Sequence, residues 1–173
     1  EEIAARQNPY IRFKFNGVQK EYKSEVSAGK SESNGIHGLF LGGYKDARQP
    51  QKEIFSIIAW HETPVTAGKT YRDPLKALTS DGNKLPQILL TYTAEDEKGY
   101  QSAGLFCDET GYFPLSTIIP SLKNMIVDSR VNITELTSTY VKGTFSGTVY
   151  EATKWTEAVK QVISDGEFLA EIK

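Results

Sequence analysis

The chain has one cysteine, Cys107, among its 173 residues, so no disulfide can close within it. A lone cysteine is ordinarily a small buried hydrophobe. To act as a nucleophile it would want a histidine partner, and neither histidine, His37 or His61, has a sequence context that supplies one. No apolar run approaches the length of a membrane span. Basic residues do not outnumber acidic ones, 20 against 22 for a formal net charge of −2. No basic stripe is therefore available to neutralise phosphates, and nucleic acid is not an expected partner. Internal repeats, heptads and low-complexity tracts are missing, as are catalytic, metal and nucleotide signatures. No cofactor is expected.

Aromatic residues are plentiful: nine Tyr, eight Phe and two Trp. Strands favour such rings, and the length suits one domain with a core that needs neither disulfides nor metal. The clearest stretch runs from Tyr140 to Tyr150. Val141, Phe145 and Val149 fall on one face, with Lys142, Thr144, Ser146 and Thr148 on the other, the period of a half-buried strand. Gly143 and Gly147 flank Phe145 on the apolar face. Their gaps are expected to take aromatic side chains from a facing sheet, or alternatively to form a ligand slot beside Phe145.

Two Gly-containing dipeptides predict hairpins, because primed turns need positive φ at both central residues. Asn16-Gly17 sets Phe15 opposite Val18, Arg12 opposite Glu21 and Ile11 opposite Tyr22. Ile11, Phe13, Phe15, Val18 and Tyr22 then share a face, and Lys20 joins them at what should be a sheet edge. Asp165-Gly166 likewise predicts a terminal hairpin, with Ile163 facing Phe168, Val162 facing Leu169 and Lys160 facing Glu171.

Between the ends, Ser24 to Gly35 is polar and reads as a mobile loop. Ile36–Tyr44, Glu53–Trp60, Gln87–Thr93 and Tyr100–Phe106 read as strands, the second apolar on both faces and therefore central. Glu95, Asp96 and Glu97 form a solvated acidic loop without EF-hand spacing. Ile118, Ile119, Leu122, Met125 and Ile126 recur at helical spacing behind Pro120, predicting a short helix over 119–127. The expected architecture is all-β: an antiparallel two-sheet sandwich with that one helix, or alternatively a partly open β-barrel. Residues 1–9 are expected to be a flexible tether and 10–173 a single domain.

Candidate ligand-binding residues are aromatic. Trp60, in Trp60-His61-Glu62, ends a strand before a proline loop; Tyr71 follows that loop; Trp155 lies in the polar connection 151–157. Each could stack a sugar or contact a partner, although tryptophan is more often core. Asn132-Ile133-Thr134 matches a glycosylation acceptor, but strand residues facing solvent read the same way. Glu62, Asp73, Glu95 and Asp96 are the acids that a hydrolase would have to bring together across a cleft.

Val131-Asn-Ile-Thr-Glu-Leu, Tyr140-Val-Lys-Gly-Thr-Phe-Ser-Gly-Thr-Val149 and Ile163-Ser-Asp-Gly-Glu-Phe168 resemble the C-terminal end of small secreted lipoproteins of the Bacteroidetes type. Phe13-Lys-Phe-Asn-Gly-Val-Gln-Lys-Glu-Tyr22 is similar to their opening hairpin. The resemblance covers the two ends of the chain and its motifs are structural. It implies a β-sandwich-like domain of the cell envelope, outer-membrane-anchored or extracellular, tethered through a lipidated cysteine upstream of Glu1 after a signal peptide is removed. The opening Glu1-Glu2-Ile3, without an initiator methionine, fits a processed form. The expected function is non-enzymatic: a monomer that binds a glycan or another envelope protein and meets the membrane only through its anchor. The alternatives are an envelope polysaccharide hydrolase and an assembly protein pairing through a strand edge.

Overall fold

The computed structural model describes residues 8–72, 88–102, 105–108, 111–114, 129–151 and 159–173, and there the chain is all-β. In order the strands are β1 (Tyr10–Phe15), β2 (Val18–Tyr22), β3 (Ser24–Ser33), β4 (Ile36–Tyr44), β5 (Ile54–His61), β6 (Lys69–Arg72), β7 (Ile88–Thr93), β8 (Gly99–Gln101), β9 (Leu105–Asp108), β10 (Gly111–Pro114), β11 (Arg130–Leu136), β12 (Tyr140–Glu151) and β13 (Gln161–Ile172). Eleven of them form one sheet in the order β2-β1-β13-β3-β4-β5-β7-β8-β12-β11-β6, and β9 and β10 form a separate pair. The expected helix over 119–127 lies outside the described residues.

Strand β13 is the hub. It pairs with β12 along almost its whole length, with β1 through residues 163–169, and with β3 through Glu171 and Ile172. The β13–β3 contact is parallel, and the other pairings are antiparallel. The facing layers of the core are thus parts of one sheet folded back on itself. Phe13 of β1 lies 4.5 Å from Phe55 of β5, ring centre to ring centre, although three strands separate them in sheet order. Phe145 of β12 stacks on Phe55 at 4.9 Å, and Tyr92 of β7 meets Phe13 edge-on at 5.5 Å. Such ring pairs add roughly 0.5–1.5 kcal/mol each beyond the area they bury.

The first hairpin has the register that Asn16-Gly17 dictates: Ile11 pairs with Tyr22, Arg12 with Glu21 and Phe15 with Val18. Both turn residues have positive φ, 48° and 83°. The Asn16 side chain also ties the turn to β13, accepting from the Val162 amide at 2.9 Å. Strand β2 ends the sheet order, as Lys20 required. Val18 differs from expectation: beside the turn on this edge strand it is 60% exposed, because no strand lies beyond β2 in the sheet to cover it.

Three other expectations are corrected. Ser24–Gly35 is not a mobile loop but β3 and the start of a hairpin whose turn, Asn34-Gly35, has φ of 52° and 76°. Val26 and Ala28 supply its buried alternation, while the polar residues that disguised it extend beyond the core. Tyr100–Phe106 is not one strand: β8 pairs with β7 and β12, and β9 pairs with β10. Asp165-Gly166 is not a hairpin turn. Strand β13 runs straight through it as a bulge, so that Gly166 pairs with Phe145 and Ile163 with Gly147, one residue more on β13 than on β12. Asp165 alone takes positive φ, 51°. A bulge, like a turn, exploits a residue in the left-handed region, and β13 must stay extended to serve β1 and β12 together. Lys160 consequently does not face Glu171, whose β12 partner is Tyr140.

The glycine gaps of β12 are filled, but not as expected. A Cβ on Gly143 would lie 2.6 Å from the Phe168 ring and against the Asn132 carbonyl; one on Gly166 would lie 2.6 Å from the Phe145 ring. Each ring therefore covers the glycine opposite it on the adjacent strand, not one on a facing layer. Gly147 is packed by Ser129 and Leu90. Among the described residues no ligand slot opens on this inner face beside Phe145, which is 3% exposed.

Candidate functional site

The outer face of β12 and its neighbours does open. A groove of about 540 Å³ lies over β6, β11, β12 and the bulge of β13, with Arg72, Arg130, Asn132, Thr144, Ser146 and Glu167 among its walls. Register builds it. Thr70, Asn132, Thr144 and Glu167 form one cross-strand row that continues to Arg12, and Arg72, Arg130 and Ser146 form the next. Alternation turns these residues outward because Val131, Ile133, Phe145 and Phe168 are buried inward. The bulge adds Asp165, whose carboxylate lies 2.8 Å from Lys14 Nζ. Glu167 pairs with Arg12 and holds its guanidinium above the ordinary range, and Arg12 also lies 4.7 Å over the Tyr10 ring. Guanidiniums occupy one wall and carboxylates the other, with hydroxyls and an amide between them. That lining can donate to and accept from a polar ligand at many points.

The aromatic candidates do not meet there. Tyr71 is inward-facing and 2% exposed, and its hydroxyl accepts a bond from the Thr66 amide at 3.0 Å. Trp60 is half-buried on the opposite face of β5, since the alternate residues Phe55, Ile57 and Ala59 point inward. Trp60 and Tyr71 therefore share no surface. Trp155 lies outside the described residues. His61 follows the inward phase of β5 and meets the Tyr71 ring edge-on at 6.0 Å, with its Nδ1 against Thr63.

The acids do not converge either. Glu62 follows the end of β5, while Glu95 and Asp96 are exposed in the turn after β7, beyond the far end where Thr93 pairs with Ile54. Eight residues of strand separate those ends, roughly 25 Å at the ordinary rise. Glycoside hydrolysis needs carboxyls about 5–9.5 Å apart. Asp73 lies outside the described residues. Asn132 sits half-buried in β11 between Thr70 and Thr144, and the Thr134 hydroxyl donates to the Lys142 carbonyl at 3.0 Å. Among the described residues no three His, Cys, Asp or Glu are assembled to hold a metal ion.

A second charged cluster lies within the fold. The Glu53 carboxylate is 3% exposed and receives Lys20 Nζ at 3.0 Å and Lys45 Nζ at 2.8 Å. Burial pushes its carboxyl up, but the bonds from Lys45 and Lys20 outweigh that and hold it below the usual range. The neighbouring Tyr22 hydroxyl is driven far up by burial. This cluster pins edge strand β2 to the start of β5.

Sequence reasoning missed the groove because its residues, apart from Asn132, form no motif. The outward phase of Thr144 and Ser146 was visible; that Thr70, Arg72 and Glu167 align with them depends on long-range strand pairing. Compared with known proteins, the chain matches no family model, no curated protein and no solved structure.

Proposed function

We propose that the chain is a non-enzymatic binding domain of the cell envelope, and that it takes a glycan in the outer-face groove over β6, β11, β12 and the β13 bulge. The groove carries this reading. Its volume lies within the usual range for small-ligand sites, and its hydroxyls, amide and charged groups match a ligand that presents hydroxyls on every side. Arg72 and Arg130 are register partners, so two guanidiniums stand together on one wall. Both are already engaged within the chain, but a guanidinium carries five donors, and those remaining suit a carboxylate or sulfate substituent, so an acidic saccharide is the favoured class. The envelope location rests on the likeness of both chain ends to secreted Bacteroidetes-type lipoproteins.

Pairing through a strand edge is less well supported. Strand β2, at one end of the sheet order, is five residues long and carries Lys20 and Glu21, and short, charged edges resist strand addition. The test is a glycan array spanning neutral and acidic saccharides, followed by titration of any hit against Arg130→Ala and Thr144→Ala. Binding to acidic glycans that both variants weaken at least tenfold supports the reading. An array without hits, or hits indifferent to both substitutions, overturns it.

A further inference from the structure

His37 and His61 are the only histidines of the chain, and they are direct register partners on β4 and β5. Both follow the inward phase of their strands: the next inward residues, Leu39 and Ala59, are buried core. The two histidines thus leave neighbouring strands on the same face where the core ends, partly exposed. Glu32 of β3 pairs with His37 in the same row, so that carboxylate and two imidazoles lie on three successive strands.

We propose that His37 and His61 form a two-imidazole chelate for a divalent late transition metal of the zinc class, with Glu32 orienting His37. Directly opposed strand residues have Cβ atoms about 4.5–5.5 Å apart. A zinc ion bound at about 2.0–2.1 Å by each of two nitrogens holds them roughly 3.3 Å apart in tetrahedral geometry, which imidazoles on opposed Cβ atoms can reach.

The Nδ1 partners favour ligation through Nε2. His37 Nδ1 lies 3.6 Å from the Glu32 carboxylate. A proton held on Nδ1 toward that carboxylate leaves the Nε2 lone pair bare, the orienting arrangement found behind metal-bound histidines. His61 Nδ1 lies 2.7 Å from the Thr63 hydroxyl and 3.0 Å from the Thr63 amide. When metal takes Nε2, the His61 proton resides on Nδ1 and the Thr63 hydroxyl accepts it, so no proton need leave. The Thr63 amide gives up its bond to Nδ1 and turns to water, since Thr63 is exposed. Two imidazoles do not fill a coordination shell. Water supplies the remaining ligands. A nitrogen-rich site of this kind prefers copper and zinc to magnesium or calcium.

The test uses untagged, chelator-stripped protein and Zn²⁺ alone, read by NMR of the imidazole ring protons. With two histidines in the chain, two sets of ring signals report directly and need no variant. The expected result is that both sets shift together and saturate at one equivalent, reversed by chelator. His37→Gln and His61→Gln should each weaken binding at least tenfold, and Glu32→Gln about tenfold. Rings that do not respond to excess Zn²⁺, rings that saturate independently, or Zn²⁺ affinity that survives in the double variant would each overturn the proposal.

Discussion

On the inner face of β12 and β13 two rings and two glycines are matched one to one, Phe168 covering Gly143 and Phe145 covering Gly166, while Ser129 and Leu90 fill the space at Gly147. On the outer face of the same two strands Thr144, Ser146 and Glu167 line a groove with no side chain filling it. The backbone is shared, so the contrast comes from the side chains alone. Close packing makes the inner face intolerant of added or lost volume. The outer face meets water, where a substitution changes chemistry more than stability. A binding function belongs on the face that can vary without unfolding the sheet.

The largest expected effect tests the inner face. Phe145→Ala removes a ring that touches Phe13, Phe55 and Phe168, and should cost about 3–5 kcal/mol in denaturant unfolding. A loss below about 1 kcal/mol would mean that this face is not packed core. Gly143→Ala adds a single methyl, against a ring and a backbone carbonyl that cannot move aside independently. It should cost about 1–3 kcal/mol; unchanged stability would break the one-to-one matching of glycine and ring.

Glu53 marks where charge enters the interior. Its carboxyl is held below the ordinary range by Lys45 and Lys20. The stability it contributes is therefore complete above the unfolded value, near 4.3, and is lost as pH falls through the lower folded value. Glu53→Gln should cost about 1–3 kcal/mol at neutral pH and flatten the acid side of the stability profile. If variant and wild type keep parallel acid limbs in denaturant unfolding, the cluster is not coupled to folding.

How much of this was legible depended on range. The Asn16-Gly17 hairpin could be registered residue by residue because turn chemistry and alternation agree within thirteen positions. Asp165-Gly166 misled because a turn and a bulge use the same device. Buried positions change phase there, from Ile163 to Gly166, Phe168 and Ala170, and a chain reversal or one inserted residue rephases the pattern equally well. Only the demand of β1 and β12 on the same strand decides between them, and that demand is long-range. The groove was illegible for the same reason: Arg72 and Glu167 are brought to one surface by strand order. Trp60 and Tyr71 were chosen for their chemistry, but alternation sends them to opposite faces.

On the outer face, Arg130→Ala should change stability by less than about 1 kcal/mol, since Arg130 is exposed and surface substitutions usually cost little, while weakening glycan binding at least tenfold. Stability loss as large as that of Gly143→Ala would make the groove wall structural and erase the contrast between the faces.

The smallest effect is expected at Asp165. A left-handed conformation costs an ordinary L-residue roughly 1–2 kcal/mol, somewhat less for Asp, and Asp165 adopts it at φ 51°. Asp165→Gly relieves that strain but gives the unfolded chain more freedom, worth about 0.5–1 kcal/mol in the opposite direction. It also removes the exposed contact with Lys14. The terms nearly cancel, and a net change within about 0.5 kcal/mol is expected by denaturant unfolding. Asp165→Val supplies the control: a β-branched residue resists positive φ, and the bulge cannot shift without sending Ile163 or Phe168 out of the core. If valine is tolerated as well as glycine, the left-handed residue is not what holds the bulge in place.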